Sequence, residues 1–263
     1  MVEQDTKHGS IYVYGCGTPI RQNVLEAIAS GSGAIDIFNE EYPKYRGGIS
    51  IIWGLMRGAK ELMAQTTAAG FDYYQIDNAY FGRETYFRLT KNGTQLSNLL
   101  RRDEARYKDQ FSKCALRLST WKKKRGEKIL ICTSSPFLYE FYNTSIDVWL
   151  DKTVPIIKKY TQRPIAIREK QLGNIEHDLS NSWILVTHSS ASALDALLYG
   201  LPVVTTEPCA ASPMSTLISE IERPRITANR ASLFASLAWG QYTLEEMKNG
   251  FAWKIVNEIK KNV

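Results

Sequence analysis

The sequence contains few of the residues from which metal centres and disulfide scaffolds are built. Its 263 residues include four cysteines and three histidines, and no two cysteines form a CxxC pair. A chain of this length does not need disulfides to fold, so we expect the cysteines to be reduced. No HExxH pattern and no DxD pattern occurs, so the sequence predicts no metal site.

Long apolar runs are missing as well. No run of about 18 apolar residues occurs, and the chain starts with a polar stretch that contains no apolar signal core. The sequence therefore predicts a protein with no membrane partner, located in the cytoplasm, or in the host cytoplasm if a phage encodes it.

The remaining composition is that of a folded protein with a mildly basic surface. Apolar residues make up 44% of the chain and charged residues 23%, and the formal net charge is +6. The basic residues are concentrated at residues 101–108 and 122–125. Such clusters are typical of an ordinary enzyme surface or of a surface that binds a polyanion such as nucleic acid.

Apolar runs typical of buried parallel strands alternate with helical patterns along the chain. Strands are predicted at residues 11–14, 33–38, 49–53, 73–76, 128–133, 164–168, 183–187 and 202–205, and helices at 24–29, 56–67, 146–160, 191–199 and 243–261. The polar, basic stretch between residues 91 and 128 predicts a domain boundary. We therefore expect an α/β protein with two Rossmann-like domains, residues 1–124 and 125–263, whose parallel sheets face a central cleft.

The strongest functional pattern follows the strand that ends near His188. Ser189, Ser190 and Ser192 stand at the start of the next helix, and Asp195 lies one turn into it. Free N–H groups and the dipole at a helix start attract phosphate, and small hydroxyl side chains let a diphosphate approach the backbone. A carboxylate three residues after Ser192 lies on the same helix face and is able to accept both hydroxyls of a ribose. Helix capping by serine is the alternative explanation.

A second pattern lies at the end of the strand predicted at residues 73–76. Asp77 follows directly and is predicted to be the base that takes the proton of an acceptor hydroxyl, with an Asx turn as the alternative. Gly17 and Thr18 follow the first strand, at the edge where ligands of α/β sheets bind. We expect further acceptor contacts from residues near the second pattern, which are Asn78, Tyr80, Arg83 and Arg88.

Residues 186–204 resemble the donor-binding motif of GT-B glycosyltransferases, above all of capsule-polysaccharide enzymes and the related phage DNA glycosyltransferases. Residues 73–92 are similar to a second motif of the same enzymes. The resemblance implies a GT-B-like fold, a diphosphate held by Ser190 and Ser192, and a ribose held by Asp195, where the family more often has glutamate. It also implies donor-site positions near the ends of the C-terminal strands, at Ser134, Ser135, Arg168, His188 and Ser189.

These patterns predict transfer of a sugar from a nucleotide sugar, with a UDP-sugar such as UDP-glucose as the expected donor and no further cofactor. The predicted acceptor is the hydroxyl of a 5-hydroxymethylpyrimidine in double-stranded DNA, because the chain is short and basic. Tyr80 and Phe81 are expected to stack on the extruded base. Two alternatives stay open, a glycosyltransferase of capsule or cell-surface polysaccharide synthesis and a non-catalytic nucleic-acid-binding module.

Overall fold

The computed structural model describes residues 9–17, 22–55, 57–97, 99, 103–169, 173–227 and 229–258. Its helices and strands are, in chain order, β1 (Ile11–Tyr14), α1 (Gln22–Ser32), β2 (Asp36–Phe38), β3 (Ile49–Trp53), α2 (Ala59–Ala68), β4 (Tyr73–Asn78), β5 (Phe87–Lys91), α3 (Ala105–Lys113), β6 (Lys128–Cys132), α4 (Pro136–Phe141), α5 (Ile146–Tyr160), β7 (Ile165–Arg168), α6 (Glu176–Ser180), β8 (Ser182–Thr187), α7 (Ser192–Tyr199), β9 (Val203–Thr205), α8 (Arg230–Ala238), β10 (Gln241–Tyr242), α9 (Leu244–Lys248) and α10 (Phe251–Glu258).

The chain forms two compact units. Unit 1 consists of Met1–Ala79, Arg83–Thr94 and Gly240–Val263, and unit 2 consists of Tyr80–Gly82 and Gln95–Trp239. This grouping differs from the sequence-based division after residue 124, because the segment from Gln95 onward already belongs to unit 2 and the C-terminal segment returns to unit 1.

Unit 1 is built on a six-stranded sheet with the strand order β10-β5-β4-β3-β1-β2. Strands β1 to β4 are parallel, as the sequence predicts. Strands β5 and β10 are added in antiparallel pairs, so this sheet is mixed. Ile51 and Ile52 are neighbours on β3 and both fully buried, as expected for a parallel strand covered on both faces.

The C-terminal segment belongs to unit 1 because it completes the sheet and packs on its first helix. Strand β10 pairs with β5, and α9 and α10 pack against α1. Gly31 permits the close approach of α1 to α9, since a Cβ atom at this position would lie 1.8 Å from the Met247 carbonyl oxygen. A pairing between residues so far apart in the chain leaves no local pattern, so the sequence did not predict it.

Unit 2 is built on a four-stranded parallel sheet with the strand order β7-β6-β8-β9. The chain runs outward from β6 to β7 and then crosses to the other side of β6 to form β8 and β9. Neighbours β6 and β8 therefore form a topological switch point, where open α/β sheets bind ligands beyond the carboxyl ends of the strands. Strands β1 and β3 form the same kind of point in unit 1.

The apolar runs of β6 and β8 supply two separate cores in unit 2. Leu130 and Leu185 pack in a cluster with Phe81, whereas Ile131 and Val186 pack in a cluster with Trp149. Successive side chains of a strand point to opposite faces, so both faces of this sheet are buried. A strand buried on both faces reads as a continuous apolar run, which explains why the sequence predicts these strands well.

Helix α3 lies in the basic stretch that the sequence treats as a domain boundary. Tyr107 and Phe111, one turn apart, are buried on one face of the helix. On the exposed side, Lys108 contacts Glu104 at 2.8 Å, four residues earlier. Residues Ala105–Lys113 therefore form an ordinary amphipathic helix.

Candidate functional site

In unit 2, two loops leave the sheet side by side at the switch point. Cys132 ends β6, Thr187 ends β8, and the two residues are paired across the sheet. The Thr187 hydroxyl donates a hydrogen bond of 2.7 Å to the Cys132 carbonyl. The loop with Ser134 and Ser135 therefore starts beside the loop that begins at His188. Strand pairing brings these predicted donor residues to one edge of one sheet.

The turn between β8 and α7 is held by its own hydroxyl groups. The Ser190 amide donates to the Thr187 hydroxyl, and the Ser190 hydroxyl accepts from the Ser192 amide, each at 3.3 Å. Ser190 thus satisfies one of the free N–H groups at the start of α7. The helix ends at Tyr199, before Gly200, as the sequence predicts.

Two serine hydroxyls beside the switch point are buried. Within the described part of the chain, the Oγ atoms of Ser134 and Ser192 make no hydrogen bond of standard geometry. Burial raises the pKa of the nearby Cys132 thiol to about 12. The thiol is therefore no nucleophile at neutral pH. Asp195 is half-buried and shares one helix face with Ser192.

His188 is 3% exposed and lies among aromatic rings. Its ring centre is 5.0 Å from that of Tyr139, 4.9 Å from that of Tyr142 and 6.0 Å from that of Trp149. Burial lowers the pKa of His188 to about 4, so the ring is neutral at neutral pH. Its Nδ1 atom is 3.0 Å from the Ser189 hydroxyl oxygen. In this environment His188 anchors Ser189 and carries no positive charge for a phosphate.

Gln95 holds the same turn from a distant part of the chain. Its side-chain NH₂ group donates to the Ser189 carbonyl, and its side-chain oxygen accepts from the Ala210 amide, each at 3.1 Å. Ala210 lies in the loop after β9, so Gln95 ties the loops after β8 and β9 together. No local sequence pattern indicates Gln95, because its partners lie 94 and 115 positions away.

Arg168 ends β7, next to β6 in the sheet. Its guanidinium donates to the Asp178 carboxylate and to the Gly173 carbonyl, and its side chain is 12% exposed. The Arg168 carbonyl accepts from the Thr133 amide at 3.0 Å, which joins this strand end to the loop after β6. Arg168 therefore lies at the predicted edge with its charge balanced by Asp178.

In unit 1, Asp77 is the penultimate residue of β4 rather than the first residue after it. It lies opposite Arg88 of β5, whose guanidinium is 2.7 Å from one Asp77 carboxylate oxygen. The other oxygen accepts from the Asn78 amide at 2.7 Å. The Arg88 side chain is 9% exposed and that of Asp77 is 25% exposed. A buried arginine thus orients a partly exposed carboxylate.

The other residues predicted to bind the acceptor are not all in unit 1. Gly17 follows β1 with a φ of 71°, and its carbonyl accepts from Arg57 at 2.8 Å. Thr18 lies outside the described residues. Asn78 and Arg83 are exposed. The fifth, Tyr80, belongs to unit 2.

Tyr80 and Phe81 are buried in the core of unit 2, at 1% and 2% exposure, which corrects the expectation that they stack on a base. Phe81 meets the rings of Phe111 and Phe234 edge to face, at centroid distances of 5.0 and 5.7 Å. The Tyr80 hydroxyl accepts from the Leu96 amide at 2.8 Å. Neither ring offers a face to a ligand, because packing against other core side chains covers it.

Neither a protein-family model nor a curated protein sequence matches the chain. Solved structures do match it. Thermosulfurimonas dismutans KpsC, beta Kdo 2,4 transferase, is 12% identical with a TM-score of 0.53, over 88% of this chain and 90% of that chain. Thermosulfurimonas dismutans KpsC, beta Kdo 2,7 transferase, is 10% identical with a TM-score of 0.54, over 95% of this chain and 100% of that chain. The chain shares the fold of these two transferases.

The likeness to the KpsC structures spans most of this chain, so it includes elements of both units. It confirms the α/β, GT-B-like fold that the two sequence motifs imply. At these low identities the likeness concerns the fold, and the roles of the individual site residues stay predictions.

Two further properties concern only residues that the structure describes. No helix there is long and apolar enough to cross a bilayer. No group of three or more histidine, cysteine, aspartate or glutamate side chains is placed so as to hold a metal ion.

Proposed function

We propose that this chain is a glycosyltransferase that transfers a sugar from a nucleotide sugar to a hydroxyl group of a glycan. The observation that carries the proposal is the serine-rich turn at residues 188–192, which leaves the switch point of unit 2 in a chain with the fold of two Kdo transferases. Open α/β sheets bind nucleotides at this position. The polysaccharide alternative from the sequence therefore becomes the leading one.

In the proposed donor complex, the diphosphate lies at the start of α7. The helix dipole stabilises its charge, and the Ser190 hydroxyl donates a hydrogen bond to it. The Ser192 hydroxyl is buried and reaches the diphosphate only after a shift of the turn. The Ser190 hydroxyl already accepts one hydrogen bond and keeps its own proton to donate. Asp195 accepts the hydroxyl groups of the ribose. A UDP-sugar is the first donor to test, and further phosphate contacts are assigned to Ser134, Ser135 and Arg168.

Asp77 is the proposed general base. The acceptor oxygen attacks the anomeric carbon, its proton passes to the Asp77 carboxylate, and the bond from the anomeric carbon to the phosphate oxygen breaks. The electron pair of that bond leaves with the nucleotide, whose growing negative charge is stabilised by the start of α7. Arg88 holds the Asp77 carboxylate in place. One carboxylate used in this way suits an inverting displacement.

The proposed acceptor, a glycan, differs from the hydroxymethylated DNA that the sequence predicts. A base taken out of a DNA duplex is received by open aromatic faces, and the buried rings of Tyr80 and Phe81 offer none. The two solved structures that share the fold are named as Kdo transferases. We therefore place a glycan ahead of hydroxymethylated DNA, and the DNA stays in the test as the rival acceptor.

The donor half of the proposal is tested with the full chain and a panel of uridine-, guanosine- and cytidine-linked sugars. Chromatography of the released nucleotide reports donor use, and mass spectrometry identifies products on oligosaccharides and on hydroxymethylated duplex DNA. We expect nucleotide release to be lost when Ser190 and Ser192 are both changed to alanine. Ser180→Ala, at an exposed serine of α6, is the matched control. No release with any donor contradicts the proposal.

The base is tested separately with Asp77→Asn, which keeps the shape of the side chain and removes the proton acceptor. We expect kcat to fall about 100-fold or more while nucleotide affinity stays the same. Asp36→Asn is the matched control, because Asp36 is an exposed residue at the start of β2 in the same unit. Full activity of the Asp77→Asn variant would mean that another residue is the general base.

A further inference from the structure

We propose that unit 1 carries a sugar-binding site whose platform is the exposed ring of Tyr42. The proposal rests on the proposed function and names the class of acceptor, an uncharged pyranose unit of a glycan. The site is called the Tyr42 platform and consists of Tyr42, Glu41, Arg57 and Gly17.

The Tyr42 platform lies at the switch point of the sheet in unit 1. Cys16 and Gly17 follow β1, Glu41 and Tyr42 come after β2, and Arg57 comes after β3. The three strands are parallel neighbours, so their following loops leave the same edge of the sheet. This edge is where open α/β sheets bind ligands.

Close contacts fix the three loops to one another. Arg57 donates to the Gly17 carbonyl at 2.8 Å, and its Nε atom is 3.4 Å from the Glu41 carboxylate. A Cβ atom at Gly17 would lie 2.8 Å from Cγ of Glu41, and one at Gly58 would lie 3.2 Å from Cα of Tyr42. The backbone that carries the tyrosine is therefore packed against a neighbouring loop.

Backbone strain is concentrated in the same loops. Cys16, Tyr42 and Arg57 have φ values of 51°, 50° and 53°, a left-handed conformation that costs free energy for residues with a Cβ atom. They are three of the six non-glycine residues with positive φ in the described part of the chain. Strain of this kind is typical of ligand clamps and active sites, where the surrounding structure enforces it.

The chemistry of the platform fits an uncharged sugar. Tyr42 is 70% exposed, so its ring is open for stacking against the apolar face of a pyranose. Glu41 and Arg57 supply an acceptor and a donor for sugar hydroxyls. The loops around Tyr42 carry little net charge, because Glu41 contacts Arg57, Glu40 lies 3.9 Å from Arg46, and Lys44 is the remaining basic residue of the segment 40–46. A DNA backbone requires a larger surplus of positive charge.

The test measures binding by the full chain without any donor, so that sugar binding is separated from sugar transfer. The probes are an array of neutral oligosaccharides and a hydroxymethylated DNA duplex. Tyr42→Asn removes the ring and suits the backbone, because asparagine tolerates positive φ. Tyr42→Gly is a second ring-free variant, Tyr42→Phe keeps the ring, and Tyr160→Asn is the control at an exposed tyrosine of unit 2.

We expect the wild type and Tyr42→Phe to bind at least one class of oligosaccharide. Both ring-free variants are expected to lose about tenfold or more in affinity, and Tyr160→Asn to bind like the wild type. Unchanged binding by the ring-free variants, binding of DNA alone, or no binding of any oligosaccharide overturns the proposal. Nucleotide release is measured separately, so a failure of the proposed function is distinguished from a failure of the platform.

Discussion

At the scale of single residues, His188 makes the stability of unit 2 depend on pH. Burial lowers its pKa to about 4, whereas a histidine in an unfolded chain has a pKa of about 6.5. Between these two pH values the unfolded chain binds a proton that the folded chain does not bind. The contribution to stability is therefore complete above about pH 6.5 and falls as the pH drops, by about 3 kcal/mol at pH 4.

Replacing His188 with glutamine removes the titrating group and keeps a polar side chain beside Ser189. Urea unfolding between pH 7 and pH 4 is expected to show a weaker pH dependence in His188→Gln than in the wild type. His177→Gln is the matched control, because the His177 side chain is 86% exposed. Equal pH dependence in the wild type and His188→Gln would falsify this account.

Gln95 is the second residue whose change has a defined effect. Gln95→Leu removes both hydrogen bonds that tie the loops after β8 and β9, so unfolding free energy is expected to fall by about 1 to 2 kcal/mol. Hydrogen exchange of the Ala210 amide is expected to become about tenfold faster, because its acceptor is gone. Gln65→Leu on the exposed side of α2 is the control. An unchanged hydrogen-exchange rate of the Ala210 amide would show that Gln95 does not hold the two loops together.

At the scale of elements, α7 is held at its C-terminal end. Gly200 has a φ of 92°, and a Cβ atom there would lie 2.2 Å from the Thr120 carbonyl oxygen. Arg230, which is buried, donates to the Leu197 carbonyl at 2.6 Å, where a positive charge complements the helix dipole. The helix that presents the serine-rich turn therefore depends on a close approach of another segment of unit 2.

Gly200→Ala is expected to destabilise the protein by about 2 kcal/mol or more, because it adds a steric clash to an unfavourable left-handed conformation. Gly33→Ala separates the two effects. Gly33 also has a positive φ, 73°, but no atom lies within 4 Å of an added Cβ, so only the conformational cost of about 1 kcal/mol is expected. The free energy of unfolding of both variants is measured with guanidinium. An equal decrease in the two variants would mean that the contact with Thr120 does not affect stability.

The elements that the sequence predicts best are those whose environment is uniform along the element. Strands β6 and β8 are buried on both faces and therefore appear as continuous apolar runs. The sequence predicts no strand at β5, because its five residues, two of them basic, carry no clear period, and its antiparallel partner β10 comes about 150 positions later. Such a strand forms because of its tertiary pairing, for which the local sequence contains no pattern.

The candidate site also contains residues that a local sequence pattern predicts and residues that no local pattern predicts. The serine-rich turn is predictable because strand end, helix start and Gly200 lie within a short segment. The aromatic environment of His188 cannot be predicted from a local pattern, because the three rings around it come from separate segments. Tyr139 belongs to α4, Tyr142 to the turn after α4, and Trp149 to α5. Gln95 has no local pattern at all. Sequence patterns thus predict where a ligand approaches and miss the residues that hold the loops in place.

At the scale of the whole molecule, the chain crosses between the two units more than once. Residues 80–82 belong to unit 2 although β4 and β5 on either side belong to unit 1. The chain returns to unit 1 at Gly240, where β10 and two helices complete it. Neither unit is therefore one continuous piece of sequence, and a cut after residue 124 separates α3 from the unit to which it belongs.

A chain that ends at Trp239 tests this arrangement. It lacks β10, the partner of β5, and Trp253, whose ring centre lies 4.4 Å from that of Tyr74 on β4. Hydrogen exchange is expected to show lost protection in β4 and β5, with protection kept in β6 and β8. The variant Trp253→Ala of the 263-residue chain, which removes one contact, is expected to weaken β4 by about 1 to 3 kcal/mol and leave β6 unchanged. Loss of protection in β6 and β8 on truncation assigns the C-terminal segment to unit 2, as the sequence-based division does, and overturns the grouping described above.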